Sequence, residues 1–319
     1  MKCHPARCLC TILMLLSTTH SFGQTFPAKP LRMLTAEPGG GSDVAARIVA
    51  QGLNAALGQQ VVVDNRVGGI NIAAIAANAA PDGYTLLTYS NTLWLIPLMR
   101  NQTPYDPTRD FAPVSLIGGS VMVLVIHPSV AATSVKELIA LLKSKPGEFN
   151  FATGPSGAVP HLAGELFKFM ADLRITQIAY RGVGAAVTDV IGGRVQMMFP
   201  NASAALPHAK AGRLRALAVT SAQPSALAPG LPTLAEAGLP GYACSSYYAT
   251  FAPAKTPPQI VTKLNQEITA YLKRTETREK FLAASAEVAA STAEGLRAVM
   301  AEEISRFGKV IKAANIRLD

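Results

Sequence analysis

Three stretches of the 319-residue chain place glycines and polar residues where a short β-rich run gives way to a helical period. The first is Pro38-Gly39-Gly40-Gly41-Ser42-Asp43, following the run Leu31 to Thr35. Glycine allows a backbone to approach a ligand closely. Ser42 suits an N-cap, and the N–H groups of a first helical turn, with the positive end of the helix dipole, favour an anion. A carboxylate could be held there by backbone donors with no arginine. The same residues are also satisfied by a plain tight turn with Asp43 at the helix start. The second stretch, Tyr180-Arg181-Gly182-Val183-Gly184-Ala185-Ala186, repeats the arrangement before a helix with Val187, Val190 and Ile191 on its apolar face. The third, Thr153-Gly154-Pro155-Ser156-Gly157-Ala158-Val159-Pro160-His161, reads alone as a flexible loop. Two strand-to-helix loops, one on each side of a cleft, could clamp an acid. Ser90 and Asn91, at the end of the run beginning at Tyr84, are further candidate ligand contacts.

Other chemistries find little support. Neither Gly39 to Val44 nor Gly182 to Val187 has the third small residue of a dinucleotide fingerprint, and no glycine loop ends in Gly-Lys-Ser or Gly-Lys-Thr. No cofactor is expected. Gly154-Pro155-Ser156-Gly157 falls short of a nucleophile elbow. His127, His161 and His208 are far apart, and no His or Cys cluster has metal-ligand spacing, so no metal is expected. His161 fits a structural hydrogen bond better than a general base. Cys244 reads as a small packed hydrophobe. Trp94 divides between core and cleft wall, and Tyr247 and Tyr248 between interlobe packing and ligand contact.

The elements that must carry these loops alternate, β-run then helical period, as in parallel sheets with crossover helices. Strands are predicted at Leu31 to Thr35, Val61 to Asp64, Tyr84 to Tyr89, Val121 to Ile126, Phe149 to Thr153, Gln177 to Tyr180, Val195 to Phe199 and Leu214 to Val219. Helices are predicted after Ser42, from Leu162 to Met170, after Pro257 and Pro258, and after a Ser291/Glu294 capping box. Crossings between two lobes are expected at Ile117 to Ser120 and along Ser245 to Phe251. These divide the chain into one lobe of 24–120 plus 250–319 and another of 121–249.

Lys2 and Arg7 precede an apolar run, Leu9 to Leu16, and small residues at Ser21 and Gly23, the layout of a secretory signal peptide. Cleavage after Gly23 would leave a soluble mature chain of about 296 residues, with Cys244 as the one remaining cysteine. Loss of Lys2 and Arg7 lowers the formal charge from +9 to +7. The remaining basic residues are interspersed with acids, which suits a solubilising surface and gives no footprint for nucleic acid.

Taken in order, the motifs resemble the Bug-type extracytoplasmic solute receptors of tripartite tricarboxylate transporters. The resemblance rests on Pro38-Gly39-Gly40 with Asp43 and Ala46-Arg47, Asn65-Arg66 with Gly68-Gly69, and Pro81-Asp82-Gly83-Tyr84-Thr85-Leu86-Leu87. It continues through Tyr105-Asp106-Pro107, Asp110-Phe111-Ala112-Pro113-Val114-Ser115, His161-Leu162-Ala163-Gly164-Glu165, Tyr180-Arg181-Gly182 and Gly192-Gly193. Pro232-Thr233, Glu236-Ala237-Gly238, Ala252-Pro253 and Thr256-Pro257 complete it. It implies an α/β fold of the periplasmic binding protein type II-like, Venus flytrap kind: two α/β lobes joined by two crossing strands. It implies a small carboxylate or related ligand in an interlobe cleft, a membrane transporter as partner, and no chemistry on the ligand. The three glycine loops would line the cleft, and Asn201 stands where the family often has a polar residue facing it. A monomer is expected. Ala158 where serine is common, a short loop after Asn65, Tyr247 for tryptophan and Ala249 for glycine imply an altered pocket. A sensor subunit, or an enzyme on the same fold, are the alternative readings.

Overall fold

A computed structural model describes residues 26–36, 38–66 and 69–318. The predicted signal segment, and Cys3, Cys8 and Cys10 within it, lie outside the described residues, as do Glu37, Val67 and Gly68. In chain order the elements are β1 (Leu31–Thr35), α1 (Gly41–Leu57), β2 (Val61–Asn65), α2 (Gly69–Ala77), β3 (Thr85–Ser90), α3 (Thr92–Leu95) and β4 (Phe111–Val121). Then come β5 (Val123–Ile126), α4 (Val135–Ser144), β6 (Asn150–Thr153), α5 (Val159–Met170), β7 (Thr176–Ala179), α6 (Val183–Ile191), β8 (Met197–Met198), α7 (Ala202–Lys210) and β9 (Arg215–Val219). The chain closes with β10 (Ser245–Pro253), α8 (Pro258–Leu272), α9 (Thr275–Ala283), β11 (Glu287–Val288) and α10 (Ala293–Ala313).

Two sheets result, ordered β11-β4-β10-β3-β1-β2 and β7-β6-β8-β5-β9. In the first, β1 is parallel to both β2 and β3, with Met33 opposite Val63 and Leu86. In the second, β6 is parallel to β7 and β8. Leu31, Met33 and Leu34 are all buried, so β1 is apolar on both faces, as a covered parallel strand must be. One core lies between the first sheet and α1 and α8, built on residues such as Val49, Leu53, Leu264 and Ile268. A larger one, with Trp94, Phe251, Met300 and Phe307, continues into Leu162, Leu166 and Phe167 of α5. A third fills the second sheet beneath α6 and α7.

The chain passes between sheets twice. β4 runs on through Gly118 and Gly119 to Val121, so residues 117–120 belong to the first sheet and the passage falls at Met122. The glycines are needed there because a Cβ on Gly119 would come within 2.7 Å of the Ser246 carbonyl. The return falls between Cys244 and Ser245, where β10 begins. Thr220 ties the two passages together: its Oγ1 accepts from the Met122 N–H at 3.0 Å and its carbonyl accepts from the Cys244 N–H at 2.8 Å. Cys244 is buried beside them, and burial pushes its thiol well up.

The predicted starts of α10 and α5 move. α10 is capped by Thr292, whose Oγ1 accepts from the Gly295 N–H, because Ser291 Oγ accepts instead from Leu116 N–H on β4. α5 begins at Val159, earlier than the periodicity of Leu162 to Met170 suggests, since Pro160 fits a first turn.

Candidate ligand-binding site

Parallel strands align their carboxyl ends. The segments after β1, β2 and β3 therefore leave one edge of the first sheet, and those after β6, β7 and β8 leave one edge of the second. Open α/β sheets bind ligands at such edges.

At the first edge α1 starts at Gly41 with Gly40 as N-cap, so Ser42 is the second helical residue and makes no capping bond. The cap lies two residues earlier than Ser42 suggests because Asp43 organises the turn. Its Oδ2 accepts from the Gly39 N–H at 2.9 Å, and its Oδ1 accepts from Asn65 Nδ2 at 2.7 Å and pairs with Arg47 Nε at 3.0 Å. Asn65 Nδ2 also donates to the Ala36 carbonyl, and Arg47 Nη2 to Asn65 Oδ1. Burial opposes the charge on Asp43, but the Asn65 amide, the Gly39 N–H and the Arg47 guanidinium outweigh it and hold the carboxyl below its ordinary range. Gly39 has φ +83°, in the region that favours glycine. Pro38, Gly39 and Gly41 are exposed, while Ser42 and Asp43 are buried.

Beneath this turn sits a residue the sequence only half identifies. Tyr248 on β10 lies opposite Ser90 on β3, and its hydroxyl would stand 2.0 Å from a Cβ on Gly41. Gly41 is therefore fitted to Tyr248, a match with no short-range signal because the two are far apart in sequence. Ser90 is half-buried and its hydroxyl bonds to Thr92 Oγ1.

Asn91 does not join them. Its side chain is fully buried, with Nδ2 donating to the Ser245 carbonyl at 3.0 Å and to Glu303 Oε2 at 3.1 Å. Trp94 Nε1 donates to the same Glu303 oxygen at 2.9 Å, which places Trp94 in the core rather than on a cleft wall. A buried carboxyl needs donors, and these two residues supply them. Burial raises Glu303 to about 7, although the Asn91 and Trp94 hydrogen bonds favour its charged form.

At the second edge, α6 is capped by Gly182 without a side-chain bond. Added Cβ atoms on Gly182 or Gly184 would meet nothing within 4 Å. Val183 is half-buried, and Gly184 and Ala185 are exposed. The first N–H groups of such a turn have no intrahelical acceptor. Tyr180 turns its hydroxyl to Asp189 Oδ2, at 2.7 Å, along the same helix.

The third loop abuts the second, since a Gly154 Cβ would lie 3.2 Å from Val183 Cγ2. Its donors are mostly engaged. The Gly157 N–H donates to His161 Nδ1 at 2.9 Å, the Ala158 N–H to the Pro155 carbonyl, the His161 N–H to the Ala158 carbonyl, and Pro160 has none. Burial, with Lys168 adding, lowers His161 to about 4, so its ring is the neutral acceptor that Gly157 requires. Thr153 is buried, donating to the Gly154 carbonyl and accepting from Gln177. Of this loop Pro155 and Ser156 are the exposed members. Asn201 caps α7, bridges Met122 and makes no capping bond with its half-buried side chain.

Among the described residues, no group of three His, Cys, Asp or Glu could hold a metal ion, and no helix is long and apolar enough to cross a membrane.

The sequence profile of the TctC family, described as the tripartite tricarboxylate transporter family receptor, matches residues 45–316. Protein BugT of Bordetella pertussis (strain Tohama I) is 39% identical over 300 residues, 92% of each chain. The solved structure of Rpa4515 of R. palustris with adipate is 33% identical, with a TM-score of 0.75 over 92% of this chain and 99% of that one. MatC of Rhodopseudomonas palustris, with bound malate, is 27% identical, with a TM-score of 0.70 over 90% and 100%. The two-lobed fold is shared, and the family consists of periplasmic binding receptors rather than enzymes. This chain belongs to the tripartite tricarboxylate transporter family of receptors.

Proposed function

We propose that this receptor captures a small carboxylate-bearing molecule between its lobes and delivers it to a tripartite tricarboxylate-type transporter. The observation that carries this reading is the pair of glycine-capped helix starts, Gly40-Gly41 and Gly182-Val183, one at the carboxyl-end edge of each sheet. Each leads a helix whose dipole favours a negative charge, and neither cap is filled by a side chain. Related structures that hold adipate and malate support the same ligand class. The two lobes, joined at Met122 and between Cys244 and Ser245, turn about these passages and bury the acid. Pro38 to Ser42, Ser90, Ser156 and Gly182 to Ala185 face the ligand, and Asn201 adds a polar side chain. Asp43, Thr153, Gly157, Ala158 and His161 hold the loops in shape, and Tyr180 braces α6. The mature monomer starts after Gly23 and works in the periplasm.

Calorimetric titration of the mature protein, stripped of co-purified ligand, tests this against adipate, malate, aromatic acids, amino acids and the matching amides. Acids should bind and their amides should bind more weakly. No binding across the panel, or amides binding as tightly as acids, would overturn the reading.

A further inference from the structure

The two sheets also meet on the far side of the passages from the glycine loops. In the first sheet β11 flanks β4 on the side away from β3 and β1, and in the second β9 flanks β5 on the side away from β6 and β7. Glu287, on β11 opposite Gly119, reaches across to the segment that follows β9. Its Oε2 accepts from Ser225 Oγ at 2.8 Å, and its Oε1 accepts from the Ala226 N–H at 2.7 Å. Ser225 is nearly fully buried, and its Oγ accepts in turn from the Leu227 N–H at 3.1 Å. The base of the contact is fixed, because Ser120 Oγ on β4 donates to the Ser285 carbonyl just ahead of β11.

Space surrounds this contact. A cavity of about 450 Å³ lies on one side, lined by Ser120, Ser221, Gln223 and Tyr247 with Glu287. Two more, of about 510 and 470 Å³, border Ala226 and the exposed Leu282. One carboxylate with two donors, set among gaps, can separate without disrupting a packed core. By contrast, the α5 and α10 side chains share one continuous apolar cluster.

We infer that Glu287 is a clasp behind the hinge that sets ligand affinity without touching ligand. The inference rests on the binding reading above. Rotation about the passages that narrows the glycine-loop side widens the opposite side, so closure on ligand stretches the Glu287–Ser225 contact. The clasp therefore favours the open arrangement and lowers the population of the binding-competent one. A receptor with a fractionally populated competent state binds more weakly by that fraction.

The test pairs Glu287→Ala with the milder Ser225→Ala in the full mature chain, each checked for an unchanged thermal transition. Small-angle scattering of ligand-free protein needs no ligand and should show Glu287→Ala more compact than the parent. Titration with adipate should show affinity raised about tenfold in Glu287→Ala and about threefold in Ser225→Ala, chiefly through slower release. An unchanged ligand-free radius of gyration, or an affinity equal to or weaker than that of the parent, overturns the clasp. If the parent binds no acid, the binding reading fails and scattering alone decides the clasp. Should Glu287→Ala not fold, Ser225→Ala carries both measurements.

Discussion

The two glycine-led helix starts resemble each other in sequence but differ in how they are held. Around Gly39 to Asp43, one carboxylate gathers Gly39, Asn65 and Arg47, and Tyr248 fills the space below Gly41. Around Gly182 to Ala185, no side chain caps the turn, and open space surrounds both glycines. The first loop is shaped before any ligand arrives, whereas the second presents backbone with little around it. Preorganised donors lower the cost of ordering on binding, and a bare turn admits ligands of differing outline. One lobe would thus supply a constant anchor for a carboxylate while the other tolerates variation in the rest of the molecule.

The largest expected effect breaks the open side of this contrast. Gly184→Phe should fold and melt as the parent does, because its side chain enters free space, yet lose at least about 100-fold in acid binding by occupying the cleft. Parental affinity by titration would remove the α6 turn from the site.

Asp43→Ala attacks the braced side. It removes one of the two acceptors of the Asn65 amide and the acceptor of the exposed Gly39 N–H, which costs about 0.5–1.5 kcal/mol of stability. Acid affinity should fall about tenfold as the turn loosens. Denaturant unfolding and titration check the pair, and an affinity loss without a stability loss would mean that Asp43 touches ligand directly.

Buried titrating groups extend the comparison to pH. His161, lowered to about 4, binds its proton more readily when unfolded, so its contribution is complete above about 6.5 and fades as pH falls towards 4. Glu303, raised to about 7, binds its proton more readily when folded, so its contribution is complete below about 4.5 and fades as pH rises through 7. Between pH 4.5 and 6.5 the two slopes oppose each other, each spanning up to about 3 kcal/mol. Stability of the parent should therefore vary little across that window. Glu303→Gln should make it rise with pH and His161→Gln should make it fall, as followed by urea unfolding at stepped pH; parallel profiles for all three proteins would refute the opposition.

The smallest effect tests the fit between Gly41 and Tyr248. Tyr248→Phe keeps the ring and should change acid affinity no more than about threefold, while Gly41→Ala must displace the ring and should cost more. Equal affinities for both variants and the parent would show that this fit does not shape the anchor.

Most of the element order is legible from short-range pattern. The apolar run Leu31 to Thr35 and the observed β1 coincide, and the predicted strand at Val61 differs from β2 by one residue. Glycine followed by a helical stripe also locates both helix starts that the proposed function uses. Cap positions are less legible. Ser42 and Ser291 have good capping chemistry, but each was overruled by a partner distant in sequence: Asn65 bonded to Asp43 in one case, Leu116 on β4 in the other. β11 is too short to announce itself, having two residues and no alternation of its own. Tyr247 and Tyr248 stand out in the sequence, but only the pairing of β10 with β3 shows that Tyr248 lies under Gly41.

By itself, the sequence determined the alternation of strands and helices, the loops rich in glycine and the ordered motifs of the family. These are local properties, set by side-chain period and by the backbone freedom of glycine. Only the tertiary structure decided which of those polar groups remain available. Asn91 is lost to Glu303, 212 residues away, and the Gly157 N–H is lost to the buried ring of His161. Long-range pairing of the Asn91 kind also brought Glu287 to Ser225. A hydrogen bond between distant residues depends on where folding puts both partners, and burial then makes the pairing obligatory.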